Sequence, residues 1–229
     1  LVGGVSTATP PDFTVTLTGY QVIKFNIDDK AYESASVSYN SLPIMRYAEV
    51  LLNYAEAKAE LGEFSDDIWN KTIKPLRERA GVDGKRPTSA DPYLQQYYGL
   101  SDSDLLEIRR ERAIELLLEG FRYNDLMRWH AGELLNKQWY GIYIPAMDTS
   151  YDLNGDGIND VCVISGEAGN EPGVTYIVLD DSKYSLENGT TGRLLYTVGR
   201  NFEEKRYLRP IPKTALNINP DLGQNYYWR

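Results

Sequence analysis

The sequence predicts a mainly α fold of helix pairs, with long irregular loops and a few short strands. Three observations carry that expectation. Residues 43–61 repeat apolar side chains at helical spacing. Glu107, Glu111, Glu115 and Glu119 recur every four residues in a second helical stretch. Beyond His130 the texture turns to Gly, Asp, Asn and Tyr, broken only by short β-like runs.

Taken in order, residues 1–12 read as a flexible lead-in ending in Pro10-Pro11. Phe13–Ile27, FTVTLTGYQVIKFNI, alternates apolar and polar residues and predicts two short strands broken at Gly19. Residues 28–41 are loop-like. Pro43–Leu61 predicts a helix, with Ile44, Ala48, Leu51, Leu52, Ala55 and Ala59 on one face, Ser41 as N-cap and Gly62 as the stop. Ser65 or Asp66 caps a second helix running to about Ala80, kinked by Pro75 and ended by Gly81. The two read as an antiparallel αα-hairpin of a length that resembles tetratricopeptide repeats. Residues 81–100 read as a tyrosine-bearing loop. Ser101 or Ser103 caps the next helix, which a Gly-Phe break separates from a short helix ending at Trp129. Short strands are expected at Val174–Leu179 and Leu194–Val198, and 207–229 reads as mostly extended because Pro210 and Pro212 oppose a regular helix there.

Composition narrows the function. At 229 residues the chain can bury a real core. Lys+Arg 24 against Asp+Glu 33 gives 24 − 33 = −9, without a basic block, which sets nucleic acid aside. Cys162 is the one cysteine, so no internal disulfide can form. No apolar run is long enough to span a bilayer as a helix. The chain opens at Leu1 on small and polar residues and reads as a processed or partial product. Tyr 18 against Phe 5 is the unusual ratio. Tyrosine joins a flat apolar face to a hydroxyl, which suits half-wet surfaces and binding rims.

The glutamate row poses a choice. Like charges at i,i+4 repel, so cations must answer them. Arg112–Glu115 and Glu119–Arg122 are available as i,i+3 pairs, and a structural ion-pair lattice is favoured over a catalytic carboxylate pair. With His130 the single histidine, zinc sites and Ser–His or Cys–His nucleophiles are nearly excluded. The segment DLNGDGIND places Asp152, Asn154, Asp156, the Ile158 carbonyl and Asp160 at the alternating oxygen positions of a calcium loop. Val163 stands where an EF-hand needs glutamate. The reading is therefore a simple structural calcium loop or a metal-free Asx turn.

Two aromatic groups are ligand candidates. Trp139, Tyr140, Tyr143 and Tyr151 fall in one predicted loop, and Tyr93, Tyr97 and Tyr98 in another. Flat rings among polar loop residues can stack on sugars or peptides, although burial against the helices is their commoner fate.

Several strings together resemble the SusD/RagB family of outer-membrane nutrient-binding proteins of Bacteroidetes. They are LPIMRYAEVLLNYAEAKAELG at 42–62, IRRERAIELLLEGFRYNDLMRW at 108–129 and YLRPIPKTALNINPDLGQNYYW at 207–228, with TGYQVIKF at 18–25 and LRERAGV at 76–82. The resemblance implies a SusD-like fold of tetratricopeptide-like helix pairs supporting irregular loops. It also implies a non-catalytic, lipid-anchored protein at the cell surface that caps a SusC-like TonB-dependent transporter and captures glycans or peptides. The similarity begins partway through the family, so the chain reads as one C-terminal region lacking the N-terminal half. That region divides into helical pairs at about 42–81 and 103–130, a loop-rich segment at 132–206 and an extended close. No binding residue transfers by motif, and the Trp139 group is an inference from the residues. A carbohydrate hydrolase using paired acids and a scaffold binding only protein are the alternatives.

Overall fold

A computed structural model describes residues 43–180 and 183–228, together with positions 13, 16–20, 22, 24–25, 29–32, 36, 38–41. The chain divides into two compact units, one of residues 1–42 and 136–201, the other of 43–135 and 202–229.

The second unit is helical. It holds α1 (Tyr47–Glu60), α2 (Asp66–Lys71), α3 (Ile73–Arg79), α4 (Pro92–Tyr98), α5 (Ser103–Glu115), α6 (Phe121–Arg128) and α7 (Lys213–Ile218). Helix α1 begins later than predicted, and Ser41 does not cap it. Arg46 stays extended at the N-cap position, where its guanidinium reaches both carboxylate oxygens of Glu119 at 2.8 and 2.6 Å. Ile44, assigned to the buried face by periodicity, lies outside the helix and is exposed. Ala48, Leu52, Ala55 and Ala59 do form that face, packed with Trp69, Ile73, Leu76, Leu105, Ile108 and Leu116.

The predicted second helix is two. Pro75 offers no N–H to the carbonyl four residues back, and the chain breaks at Thr72 between α2 and α3. The Thr72 hydroxyl donates to the Ile68 carbonyl at 2.6 Å and satisfies the end of α2. Ser65 is its N-cap, accepting from the Ile68 amide.

Helices α1 and α3 close with the same device. Gly62 N–H donates to the Ala59 carbonyl and Glu63 N–H to Lys58, while Gly81 pairs with Glu78 and Val82 with Arg77. Both glycines have positive φ, as this C-terminal motif requires. At the end of α6 the same bonds run from His130 to Met127 and from Ala131 to Leu126, with His130 left-handed at φ 53°. The His130 ring stacks on Tyr207, centroids 4.1 Å apart.

Two more helices depart from expectation. Residues 92–98 form α4, not loop: Asp91 caps it, Pro92 occupies its first turn and Gly99 ends it left-handed. Asp102, rather than Ser101 or Ser103, caps α5 by accepting from the Leu105 amide at 2.9 Å. In the C-terminal segment α7 starts directly after Pro212, which sits at the N-cap, where its missing N–H forfeits no helical bond.

The first unit is β-rich. One antiparallel sheet has order β1 (Tyr140–Ile144), β6 (Gly192–Tyr196), β5 (Tyr184–Leu186). The other has order β2 (Ser150–Tyr151), β3 (Val161–Ile164), β4 (Thr175–Val178), with β3 and β4 parallel. Strand β3, VCVI, is buried throughout, and its Val161 and Val163 join Phe13, Ile144, Ile177, Leu186 and Leu194 in the core. Strand β4 falls within the predicted 174–179, whereas β6 starts and ends two residues before the predicted 194–198. The described positions within 13–27 form no strand, and the other positions of that prediction lie outside the described residues. Gly19 and Phe25 have positive φ, and Thr16 and Thr18 hydroxyls accept the Thr18 and Tyr20 amides, so the chain turns at 16–20. Among the described residues no helix is long and apolar enough to cross a membrane.

Candidate functional site

The glutamate row is answered mainly from outside its own helix, with Arg110 of α5 adding a 3.3 Å contact to Glu107. Arg77 of α3 bridges two of its members: Nη2 lies 2.6 Å from Glu107 and Nε 2.8 Å from Glu111. Arg46 and Arg79 meet Glu115 at 2.9 and 2.6 Å, and Arg46 also holds Glu119. The lattice reading holds, with different partners from the two local pairs. Arg112 instead forks onto Asp125 at 3.0 and 2.9 Å and reaches Asn53, while Arg122 donates to the Tyr98 hydroxyl. Buried Glu56 takes Arg128 and the Trp129 indole N–H. The Arg109 guanidinium lies over the rings of both Trp129 and Tyr98, at 4.8 and 5.5 Å from their centroids, and burial lowers its pKa.

The β unit contains a different kind of site. A cleft of about 680 Å³ is lined by Phe13, Thr16, Leu17, Thr18, Gln138, Trp139, Tyr140, Lys183, Tyr184 and Tyr196. Its walls come from local rules. Tyr184 and Tyr196 face each other across the β5–β6 register, ring centroids 6.0 Å apart. Trp139 leads into β1, whose Tyr140 is paired with Leu195. Gly141 lets residues 16–18 approach: the Ile142 amide donates to the Leu17 carbonyl at 3.0 Å, and a Cβ on Gly141 would stand 2.3 Å from that oxygen. Gln138 ties the rim by donating to the Tyr196 carbonyl at 2.8 Å.

Two arginines cover one face each of two aromatic residues. The Arg200 guanidinium carbon lies 3.7 Å over Trp139, and that of Arg193 lies 3.8 Å over Tyr140. A cation over a ring is attracted to its face and takes that face from any ligand. Lys183 supplies a charge at the cleft, its pKa raised by a hydrogen bond to Tyr184 and that group's negative charge when ionised. Aromatic faces with an amide, hydroxyls and one ammonium can hold a polyhydroxylated ligand by stacking and hydrogen bonds.

Of the first predicted group, Trp139 and Tyr140 line this cleft. Tyr143 is exposed on β1 outside its lining, opposite Arg193 in the register. The Tyr151 hydroxyl is tied to the backbone of Ala146, and its ring packs on the β core. The predicted loop holding Trp139, Tyr140 and Tyr143 is largely strand. The second group lies in the helical unit: Tyr93 stacks on Tyr97, Tyr97 meets Tyr98 edge-on, and Tyr98 meets Trp129. Tyr184, Tyr196, Lys183 and Gln138 were not foreseen. Their signal is weak alternation, and only strand pairing brings them together.

The Asp152–Asp160 segment folds as successive Asx turns. Asp152 accepts from the Gly155 and Gly157 amides at 2.6 and 2.8 Å, which hold its carboxyl below the usual range. Asn154 accepts from the Asp156 amide, Asp156 from Ile158, and Asp160 from Leu153. Among the described residues no three His, Cys, Asp or Glu side chains stand close enough together to hold a metal ion by themselves. Asn154 and the Ile158 carbonyl would have to complete any calcium shell.

Comparison with known proteins fits this architecture. A family model described as the SusD family matches residues 2–228. The SusD-like protein P38 of Formosa agariphila is 33% identical over 97 residues, 42% of this chain and 18% of that protein. A SusD-like protein of Bacteroides fragilis superposes with a TM-score of 0.54 at 24% identity, covering 93% of this chain and 31% of that one. The chain thus spans a minority of each relative's length, and the structural likeness speaks for the fold.

Proposed function

The chain belongs to the SusD family, and on that premise we propose that it is part of a non-catalytic surface protein that captures glycan nutrients. Delivery would be to a SusC-like TonB-dependent transporter of the outer membrane, with lipid anchoring through a part of the protein outside these residues. The cleft walled by Trp139, Tyr140, Tyr184 and Tyr196 carries the reading. Its rings offer stacking faces to sugars, and Gln138, Lys183, Thr16 and Thr18 offer hydrogen bonds to hydroxyls. An oligopeptide could use the same faces and is the second ligand class.

Binding without bond cleavage is supported by the state of the glutamates that would serve a hydrolase. Glu107, Glu111, Glu115 and Glu119 are each engaged by arginine. Structural calcium at Asp152–Asp160 remains part of the proposal, on the strength of its oxygen spacing.

Titration calorimetry against a panel of soluble polysaccharides tests the reading. Trp139→Ala and Tyr184→Ala are each expected to weaken binding about tenfold or more, equivalent to about 1.4 kcal/mol. Unchanged affinity in both variants would remove the cleft. Release of oligosaccharides would favour the hydrolase, and transporter capture without affinity for any polysaccharide or peptide would favour the protein-only scaffold.

A further inference from the structure

We propose that the cleft of the β unit selects polysaccharides bearing negatively charged groups, uronate carboxylates or sulfate esters, over neutral ones, with Lys183 as the residue that sets the preference. The step rests on the capture reading of the same cleft. The chain as a whole is acidic, at −9, and that field opposes an anionic ligand. The cleft is a local exception. Lys183 is its one charged lining residue among those described, and no described carboxylate stands in its wall.

Lys183 is placed for contact. Its backbone amide donates to the Asp180 carbonyl at 2.7 Å, and its Nζ lies 4.8 Å from the Tyr184 ring centroid. The side chain thus follows a ring of the cleft wall and presents an exposed ammonium rich in N–H donors. A hydrogen bond to Tyr184 raises its pKa, so it carries its charge at neutral pH. Asp180 acts on it more weakly and lies outside the lining.

Arg200 adds a second charge behind the wall. Its Nη2 donates to the Lys137 carbonyl at 2.8 Å, while Nε and Nη1 are buried without a hydrogen-bond partner. What answers its charge is the Trp139 ring, 3.7 Å from the guanidinium carbon. An aromatic face is negative, and neutral sugars stack on it through weakly positive C–H groups. A guanidinium on the opposite face draws on that negative charge and weakens the attraction, while it adds to the pull on an anion. Tyr140 is backed in the same way by Arg193 at 3.8 Å. Glu187 answers the Arg193 charge at 2.7 Å, so the surplus at the cleft comes from Lys183 and Arg200. Two such cations, with no described carboxylate in the wall, favour a ligand that brings its own negative charge.

Charge-matched pairs of polysaccharides test this on the full-length protein: polygalacturonate against its methyl ester, and dextran sulfate against dextran. In titration calorimetry at low salt, the charged member of at least one pair should bind about tenfold tighter than its neutral form. The pair that responds tells carboxylate from sulfate. The preference should shrink in about 0.5 M sodium chloride, where charges are screened over a few ångströms. Lys183→Gln should lower the ratio about fivefold or more while the neutral member binds as before, and Lys183→Arg should keep it. Trp139→Ala should weaken both members, which places the binding in the cleft. Neutral members bound as tightly as charged ones, and weakened by Trp139→Ala, would overturn the charge preference and leave capture by the cleft standing. A preference unchanged in Lys183→Gln would overturn it as well, since the selecting charge would lie elsewhere. So would binding of neither member of either pair, and the wider polysaccharide panel then decides the capture reading by itself.

Discussion

Replacing Arg77 by methionine removes one cation from between two carboxylates. Glu107 and Glu111 are 2% and 7% exposed, and Arg77 reaches them at 2.6 and 2.8 Å. Glu107 keeps a longer contact to Arg110 at 3.3 Å, while Glu111 loses its bonded arginine. Breaking such a buried pair by removing one member costs about 3–5 kcal/mol, because the remaining charge stays desolvated. The guanidinium also lies 5.1 Å from the Trp69 ring centroid, a contact worth about 0.5–2 kcal/mol. Against a total stability of about 5–15 kcal/mol, Arg77→Met should remove a large part. Urea unfolding followed by far-ultraviolet circular dichroism measures it, and the melting temperature should fall by roughly 6–20 °C. The triple variant Arg77→Met, Glu107→Gln, Glu111→Leu should recover most of the loss, since removing every charge of a buried cluster is close to neutral. Arg79→Ala is the control. That side chain is largely exposed, and its pair with Glu115 should be worth about 0–1 kcal/mol. A loss under about 1 kcal/mol for Arg77→Met, or a triple variant no more stable than the single one, would refute the reasoning.

Further outcomes are expected elsewhere. Gly81→Ala should cost about 1–2 kcal/mol by thermal melt, purely through its positive φ, because nothing stands within 4 Å of the added methyl; an unchanged melt would contradict the closure assigned to α3. Gly141→Ala drives a methyl against the Leu17 carbonyl and should abolish polysaccharide binding while the helical signal persists; retained affinity would mean residues 16–18 do not shape the site. Calcium should raise the melting temperature and chelator lower it if Asp152–Asp160 binds the ion, and an insensitive melt leaves a metal-free turn. In an NMR titration without calcium, Asp152 should titrate below an ordinary aspartate. A carboxyl depressed by the Gly157 and Gly155 amides contributes stability above its unfolded pKa, and loses it as pH falls through the folded value.

What the sequence determined by itself is local. Apolar spacing gave α1, the glycines after Leu61 and Ala80 gave the ends of α1 and α3, and Gly120 gave the break before α6. These hold because helix hydrogen bonds and left-handed caps act within a few residues. Even some missed elements were written locally: Asp91-Pro92 and Gly99 bracket α4, and the unbroken apolar VCVI of β3 marks a buried strand. The charge balance also required that the glutamate row be answered, and the shared strings required the family. Tertiary structure alone decided who answers. Long arginine side chains from α3 and from Arg46 reach the row at 2.6–2.9 Å, while Arg110 on α5 itself keeps only a 3.3 Å contact to Glu107, because packing removes the row from water and selects cations already facing it. The aromatic cleft was decided the same way. Trp139 and Tyr140 are visible as neighbours in the chain, but Tyr184 and Tyr196 join them only through strand register, and residues 16–18 only through the space left by Gly141. Register depends on which face of a sheet finds a core, a long-range choice that no window of sequence contains.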